Sequence, residues 1–160
     1  MTAAAAGVEL ATPAWLAAVR DAVEAEAADP RWEGLQFSFA ERLVAVPAAL
    51  SGAGDEVGFT CTLQEGEVHF VATPSDEVEF AQRVEYDAAR ELAGQVYDDG
   101  AVGGASLKER FAAEGRIVTT GARSEAAAAF WLAVHNRLAP LTVVPHTTTT
   151  TNTPASAWEV

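Results

Sequence analysis

The segment "EGRIVTTG", Glu114 to Gly121, sets two glycines around a short β-branched run and leads into an alanine-rich stretch that ends in "FWLAVHNRL". Glycine permits turns at both ends, and Ile117, Val118, Thr119 and Thr120 favour extended backbone, so the segment predicts a brief strand over 115–121. Immediately after it, Ser124 and Glu125 supply a helix N-terminus. Ala128, Trp131, Leu132, His135 and Leu138 then share one face of a helix over 124–138. Strand and helix read together as two walls of an apolar cavity.

Upstream, Thr12 and Pro13 form a helix start, a hydroxyl cap followed by a proline that lacks only a donor the first turn does not use. Trp15, Leu16, Val19 and Val23 recur at helical spacing until Ala28, Asp29 and Pro30 end the helix. From Leu35 the period becomes two. Leu35, Phe37 and Phe39 alternate, then Val57, Phe59, Cys61 and Leu63, then, after a turn at Glu65 and Gly66, Val68, Phe70 and Ala72. The alternation resumes at Val78, Phe80 and Val84, which predicts a meander of about four antiparallel strands. "EYDAARELAGQVY" returns to helix, with Asp87 as cap and Leu92 and Val96 on the apolar face, and Gly94 weakens it. "DDGAVGG", Asp98 to Gly104, reads as a flexible loop, and a short helix follows over 107–111. The order is that of an α+β domain, a mostly antiparallel five-stranded sheet covered on one face by helices. Residues 1–143 would form that domain, with a frayed start in "MTAAAAGVEL" and a threonine- and proline-rich tail over 144–160.

The totals exclude several function classes. Against 23 Asp and Glu stand 10 Lys and Arg, a formal net charge of -13, and such a field repels polyphosphates and anionic headgroups. Nucleic acid is thereby disfavoured as a partner, and so is stable membrane insertion. The lone Cys61 cannot form an internal disulfide, and no secretory or membrane-spanning pattern opens the chain, which suggests a reduced cytoplasm. The alanine richness hints at a bacterial source.

"VEFAQRVEYDAARELAGQVYDDGA" followed by "LKERFAAEGRIVTTG" resembles the second half of the sterol carrier protein 2 family. The matching features are a strand leading into a helix over Tyr86 to Val96, an aromatic Phe111 closing a short helix, the glycine-bracketed strand, and an apolar terminal helix. The lysine and methionine often found near that strand are missing, and Arg116 stands where a basic residue is expected. The chain ends in "WEV" rather than a peroxisomal tripeptide. Its acidity also departs from the basic surface of better-known members, which bears on lipid exchange more than on lipid binding. The resemblance implies a hydrophobic tunnel between sheet and helices that holds a sterol, a fatty acyl chain or a similar lipid, in a carrier or an accessory module.

On this reading Leu92, Val96, Leu107, Phe111, Ile117, Phe130, Trp131, Val134 and Leu138 line the tunnel, and His135 meets a ligand headgroup. The same spacings also fit an ordinary solid core, and His135 an ordinary half-exposed histidine. No metal site is expected, because His69, His135 and His146 lack ligand spacing and Asp98–Asp99–Gly100 lacks the rest of a calcium loop. Cys61 reads as a small core residue, and no cofactor fingerprint or nucleophile motif occurs. Two rival readings stand beside the binding module. One is a small cone-fold α+β isomerase or cyclase for a polycyclic substrate, with Asp87, Asp98 or His135 as acid or base. The other is an interaction protein, in a homodimer or docked on a partner through the region of Trp158.

Overall fold

The structure, a computed structural model, describes residues 7–52, 54–97 and 102–143 and, over 102–106, the backbone alone. In chain order the elements are β1 (Val8–Glu9), α1 (Pro13–Ala27), a 3-10 turn (Pro30–Trp32), β2 (Phe37–Val44), α2 (Ala48–Ser51), β3 (Val57–Gln64) and β4 (Glu67–Val71). They continue as β5 (Phe80–Glu85), α3 (Tyr86–Ala93), α4 (Val102–Ala113), β6 (Ile117–Gly121), α5 (Glu125–Leu138), a second 3-10 turn (Ala139–Leu141) and β7 (Thr142–Val143).

Local chemistry sets most boundaries. The Thr12 hydroxyl accepts the Trp15 amide at 3.2 Å and so caps α1. Past its end, the Asp29 carboxylate accepts the Arg31 amide at 2.9 Å. Ser124 caps α5 by accepting the Ala127 amide at 3.1 Å. Glu65 and Gly66, with φ of 53° and 80°, form a two-residue turn whose handedness matches the twist of β3 and β4.

The five-stranded sheet has the order β4-β3-β2-β5-β6. The pairs β2 with β3, β3 with β4 and β5 with β6 are antiparallel, whereas β2 and β5 run parallel. The expected meander therefore holds only through β4. The chain then crosses back so that β5 pairs on the other side of β2, a step that alternation cannot reveal because it reports facing and not neighbours. Phe37, Phe39, Leu43, Phe59, Cys61, Leu63, Phe80 and Val84 form the buried face of the sheet, against which α1, α3 and α5 place Trp15, Val19, Val23, Ala88, Leu92, Phe130 and Val134. His69 points away from this core, as its strand position predicts. Burial pushes the Cys61 thiol up to about 12, so this residue is packing rather than chemistry.

Several boundaries differ from expectation. Glu85, not Asp87, takes the N-cap position of α3, because β5 runs into the helix without a loop; Asp87 lies in the first turn and pairs with Arg90 at 3.5 Å. The helix stops at Ala93, with Gly94 as its C-cap, which leaves Val96 outside it. Helix α4 begins at Val102 and absorbs the end of the expected glycine-rich loop, tertiary context overriding glycine's weak helix propensity. Residues 98–101 of that loop lie outside the described residues, as do 1–6 and 144–160. The end of the expected frayed start is tied down, since β1 pairs in parallel with β7 and Leu10 is buried.

One buried charge fastens the helices. Glu26 of α1 is 1% exposed and accepts hydrogen bonds from Trp32 Nε1 at 2.8 Å, from Arg137 Nε of α5 at 2.5 Å, and from Arg31. Desolvation pushes its carboxyl up, but the bonds from Arg137, Trp32 and Arg31 outweigh that and hold it below the ordinary value.

Candidate functional site

Between the buried face of the sheet and the helices lies a cavity of about 330 Å³. Trp131 lines it and also borders a smaller neighbouring cavity. Its ring is 4.5 Å from Phe39 and 5.9 Å from Phe59, centroid to centroid, and its buried indole Nε1 has no hydrogen-bond partner. Trp15 and Val19 of α1, Leu43 and Val84 of the sheet, and Ala89, Leu92 and Ala93 of α3 complete the apolar wall. Helix α5 adds Ala128, Leu132, Val134 and Leu138. A smaller cavity of about 130 Å³ adjoins it, sharing Phe39, Arg123 and Trp131.

Of the residues anticipated from the sequence, Leu92, Trp131, Val134, His135 and Leu138 line the larger cavity. Phe111, Phe130 and Ile117 instead lie in the packed core and do not line it. Leu107 packs partly buried against that core, also off the cavity wall. Val96 is 57% exposed, because α3 has already ended. His135 reaches the cavity, but its Nε2 lies 2.6 Å from the Gln95 carbonyl, which can only accept, so that nitrogen carries the proton. Desolvation lowers its pKa and the nearby Lys108 adds to this, while the bond to Gln95 opposes it, leaving the ring neutral. Beside it Asn136 bonds both backbone groups of Tyr97, accepting from N at 2.9 Å and donating to O at 2.6 Å. The segment before residues 98–101 is thereby pinned to α5.

Sequence reasoning missed the polar part of the wall. Glu41 and Gln82 are side-by-side partners on β2 and β5, joined by a 3.2 Å bond from Gln82 Nε2 to the Glu41 carboxylate. Both occupy inward positions, in the same rows as Phe39 and Leu43 and as Phe80 and Val84. Burial pushes the Glu41 carboxyl up to about 7, against the smaller opposing effects of Lys108 and the Gln82 bond. Lys108 of α4 and Arg123, ahead of α5, line the same cavity from its exposed rim. A signal for Glu41 did exist. In "FSFAERLV" the inward positions are Phe37, Phe39, Glu41 and Leu43, and a carboxylate in such a row breaks the apolar pattern.

Among the described residues no group of side chains could hold a metal ion, and no helix is long and apolar enough to cross a membrane. Asp87 is exposed and away from the cavity, and Asp98 lies outside the described residues.

No protein-family model matches the chain, and no curated protein matches it. Solved structures do match. The crystal structure of a sterol carrier protein 2 superposes with a TM-score of 0.53 at 19% identity, covering 83% of this chain and 99% of that one. The solution structure of a conserved hypothetical protein from Thermus thermophilus superposes with a TM-score of 0.50 at 16% identity, covering 89% and 98%. At such identities the likeness establishes architecture, and with the sheet order and enclosing helices described above it leads to one conclusion: the chain has the sterol carrier protein 2 fold.

Proposed function

We propose that the protein binds a hydrophobic small molecule, a sterol, fatty acyl chain or similar lipid, in the cavity between sheet and helices, and acts as a carrier or accessory module. The observation that carries this reading is the cavity itself, about 330 Å³ of space walled mainly by aromatic and aliphatic side chains. That size falls within the range of roughly 300–1,000 Å³ usual for ligand pockets. Burying about 500 Å² of a guest's apolar surface at roughly 25 cal/mol per Å² releases on the order of 12 kcal/mol gross. Ordering losses bring this to micromolar affinity. The buried free thiol of Cys61 supports the cytoplasm as the compartment.

Titration with a fluorescent fatty acid or sterol tests the proposal. Saturable binding with a micromolar Kd, accompanied by a change in tryptophan emission from Trp15 and Trp131 on the cavity wall, is expected; no saturation up to the probe's solubility limit would overturn it. Native mass spectrometry of freshly purified protein gives a second reading, since a retained guest adds its own mass.

A single observation favours a catalytic alternative: a carboxyl poised near neutrality beside an apolar cavity is suited to proton transfer, and Glu41 is such a group. Under that reading Glu41→Gln abolishes turnover of a polycyclic substrate but leaves its binding intact, whereas the carrier reading gives no turnover in either form.

A further inference from the structure

Of the lysine and arginine side chains, Arg83, Lys108 and Arg123 alone form no ion pair among the described residues. Two of these three line one cavity, in a chain carrying 23 acidic residues. Neither cation is held by a carboxylate. The Arg123 guanidinium lies over the Phe80 ring at 4.7 Å and the Lys108 ammonium over the Tyr97 ring at 5.7 Å, contacts that leave their N–H donors open to an incoming acceptor. They are near enough to repel each other, and desolvation together with Arg123 lowers the pKa of Lys108. Two cations at the rim of one apolar cavity, neither paired with a carboxylate, constitute a site for an anion.

The Glu41 carboxyl, bonded to Gln82, lines the same cavity and is near enough to Lys108 for the two to attract. On β3 its neighbour is Phe59, and α1 and α3 present only apolar residues to the cavity. His135 of α5 is neutral and engaged with Gln95. Among the described residues Lys108 and Arg123 are thus the other charged groups that line the cavity with Glu41, and Lys108 is the one that attracts it. An anion arriving between them brings a second negative charge beside this carboxylate and competes with it for Lys108. The favoured response is uptake of one proton from solvent by Glu41, which turns a repelling carboxylate into a neutral group that can donate a hydrogen bond.

We propose that the guest is an amphiphile with one anionic headgroup, clamped between Lys108 and Arg123, and that its entry is coupled to protonation of Glu41. The inference rests on the binding function proposed above and adds headgroup charge and proton linkage to it. Because Glu41 titrates near 7 when the cavity is empty, the coupling operates around neutrality: the guest binds tightly below that value and is released as pH rises through it.

The test compares dodecanoate, 1-dodecanol and dodecylammonium, which share one chain and differ in head charge, by calorimetry between about pH 6 and pH 8.5. Dodecanoate is expected to bind at least about ten-fold tighter than dodecanol at the acid end and to weaken roughly ten- to thirty-fold across the range, while dodecanol changes little. Calorimetry at the alkaline end in two buffers of different ionisation enthalpy should register about one proton taken up per dodecanoate. Glu41→Gln should flatten the pH dependence, and the double variant Lys108→Met, Arg123→Met should bring dodecanoate down to the affinity of dodecanol. Equal, pH-independent binding of dodecanoate and dodecanol, or a preference for dodecylammonium, overturns the inference and leaves the binding function standing. If none of the three probes binds, the inference falls, and the fatty-acid and sterol titration described above decides the binding function separately.

Discussion

Glu26 illustrates how one residue can join two helices distant in sequence. Its carboxylate is buried, yet each partner reaches it from a side chain that keeps contact with water, Arg31 at 55% and Arg137 at 47% side-chain exposure. Removing it does not strand a buried cation, so Glu26→Ala should cost about 2–3 kcal/mol, toward the low end for a broken buried pair, measured by urea denaturation. Its depressed pKa sets a sign. The stabilisation is fully present above the ordinary value of 4.5 and is lost as pH falls through the lower folded value. The unfolding midpoint of the wild type should therefore drop more steeply with acid below about pH 4.5 than that of Glu26→Gln. Glu41 has the opposite shift from the same elementary causes, because no cation approaches it closely enough to repay its desolvation. Its inward position was readable in the alternation of β2; what it faces was not, since Gln82 lies 41 residues away in sequence.

At the scale of elements, the two glycines that bracket β6 have different reasons to be there. Both adopt positive φ, 73° at Gly115 and 79° at Gly121. A Cβ at Gly115 would meet open space, whereas one at Gly121 would lie 2.0 Å from the Glu79 carbonyl oxygen. Gly115→Ala should thus cost only the conformational penalty of about 1 kcal/mol. Gly121→Ala adds a backbone clash at the pairing with Phe80 and should cost at least about 2 kcal/mol, with β6 amides exchanging faster with solvent. The helix starts at Thr12 and Ser124 and the turn at Glu65 and Gly66 were legible because capping and turn chemistry act within three residues. The starts of α3 and α4 were not, because a strand running directly into a helix, and a helix propagating through glycines, depend on what packs against the backbone.

For the whole molecule the decisive feature is space left unfilled. Ala89 of α3 is buried on the cavity wall, so Ala89→Phe should fill part of the volume and reduce probe binding more than about ten-fold, with thermal stability unchanged or raised. A variant that stays folded and binds as before would place the guest elsewhere. The amino-acid sequence by itself determined the facing of β2 to β5 and of α1, the caps at Thr12 and Ser124 and the acidic balance, because periodicity and local hydrogen bonding are properties of neighbours along the chain. It also placed Leu92, Trp131, Val134, His135 and Leu138 near one another. Only the tertiary structure decided that β5 crosses back to lie beside β2, that Phe111, Phe130 and Ile117 fill the core while Trp131 borders a void, and that Glu41, Gln82, Lys108 and Arg123 meet. Those outcomes depend on contacts between segments far apart in the chain, where packing either closes a gap or leaves it, and no local pattern encodes that choice.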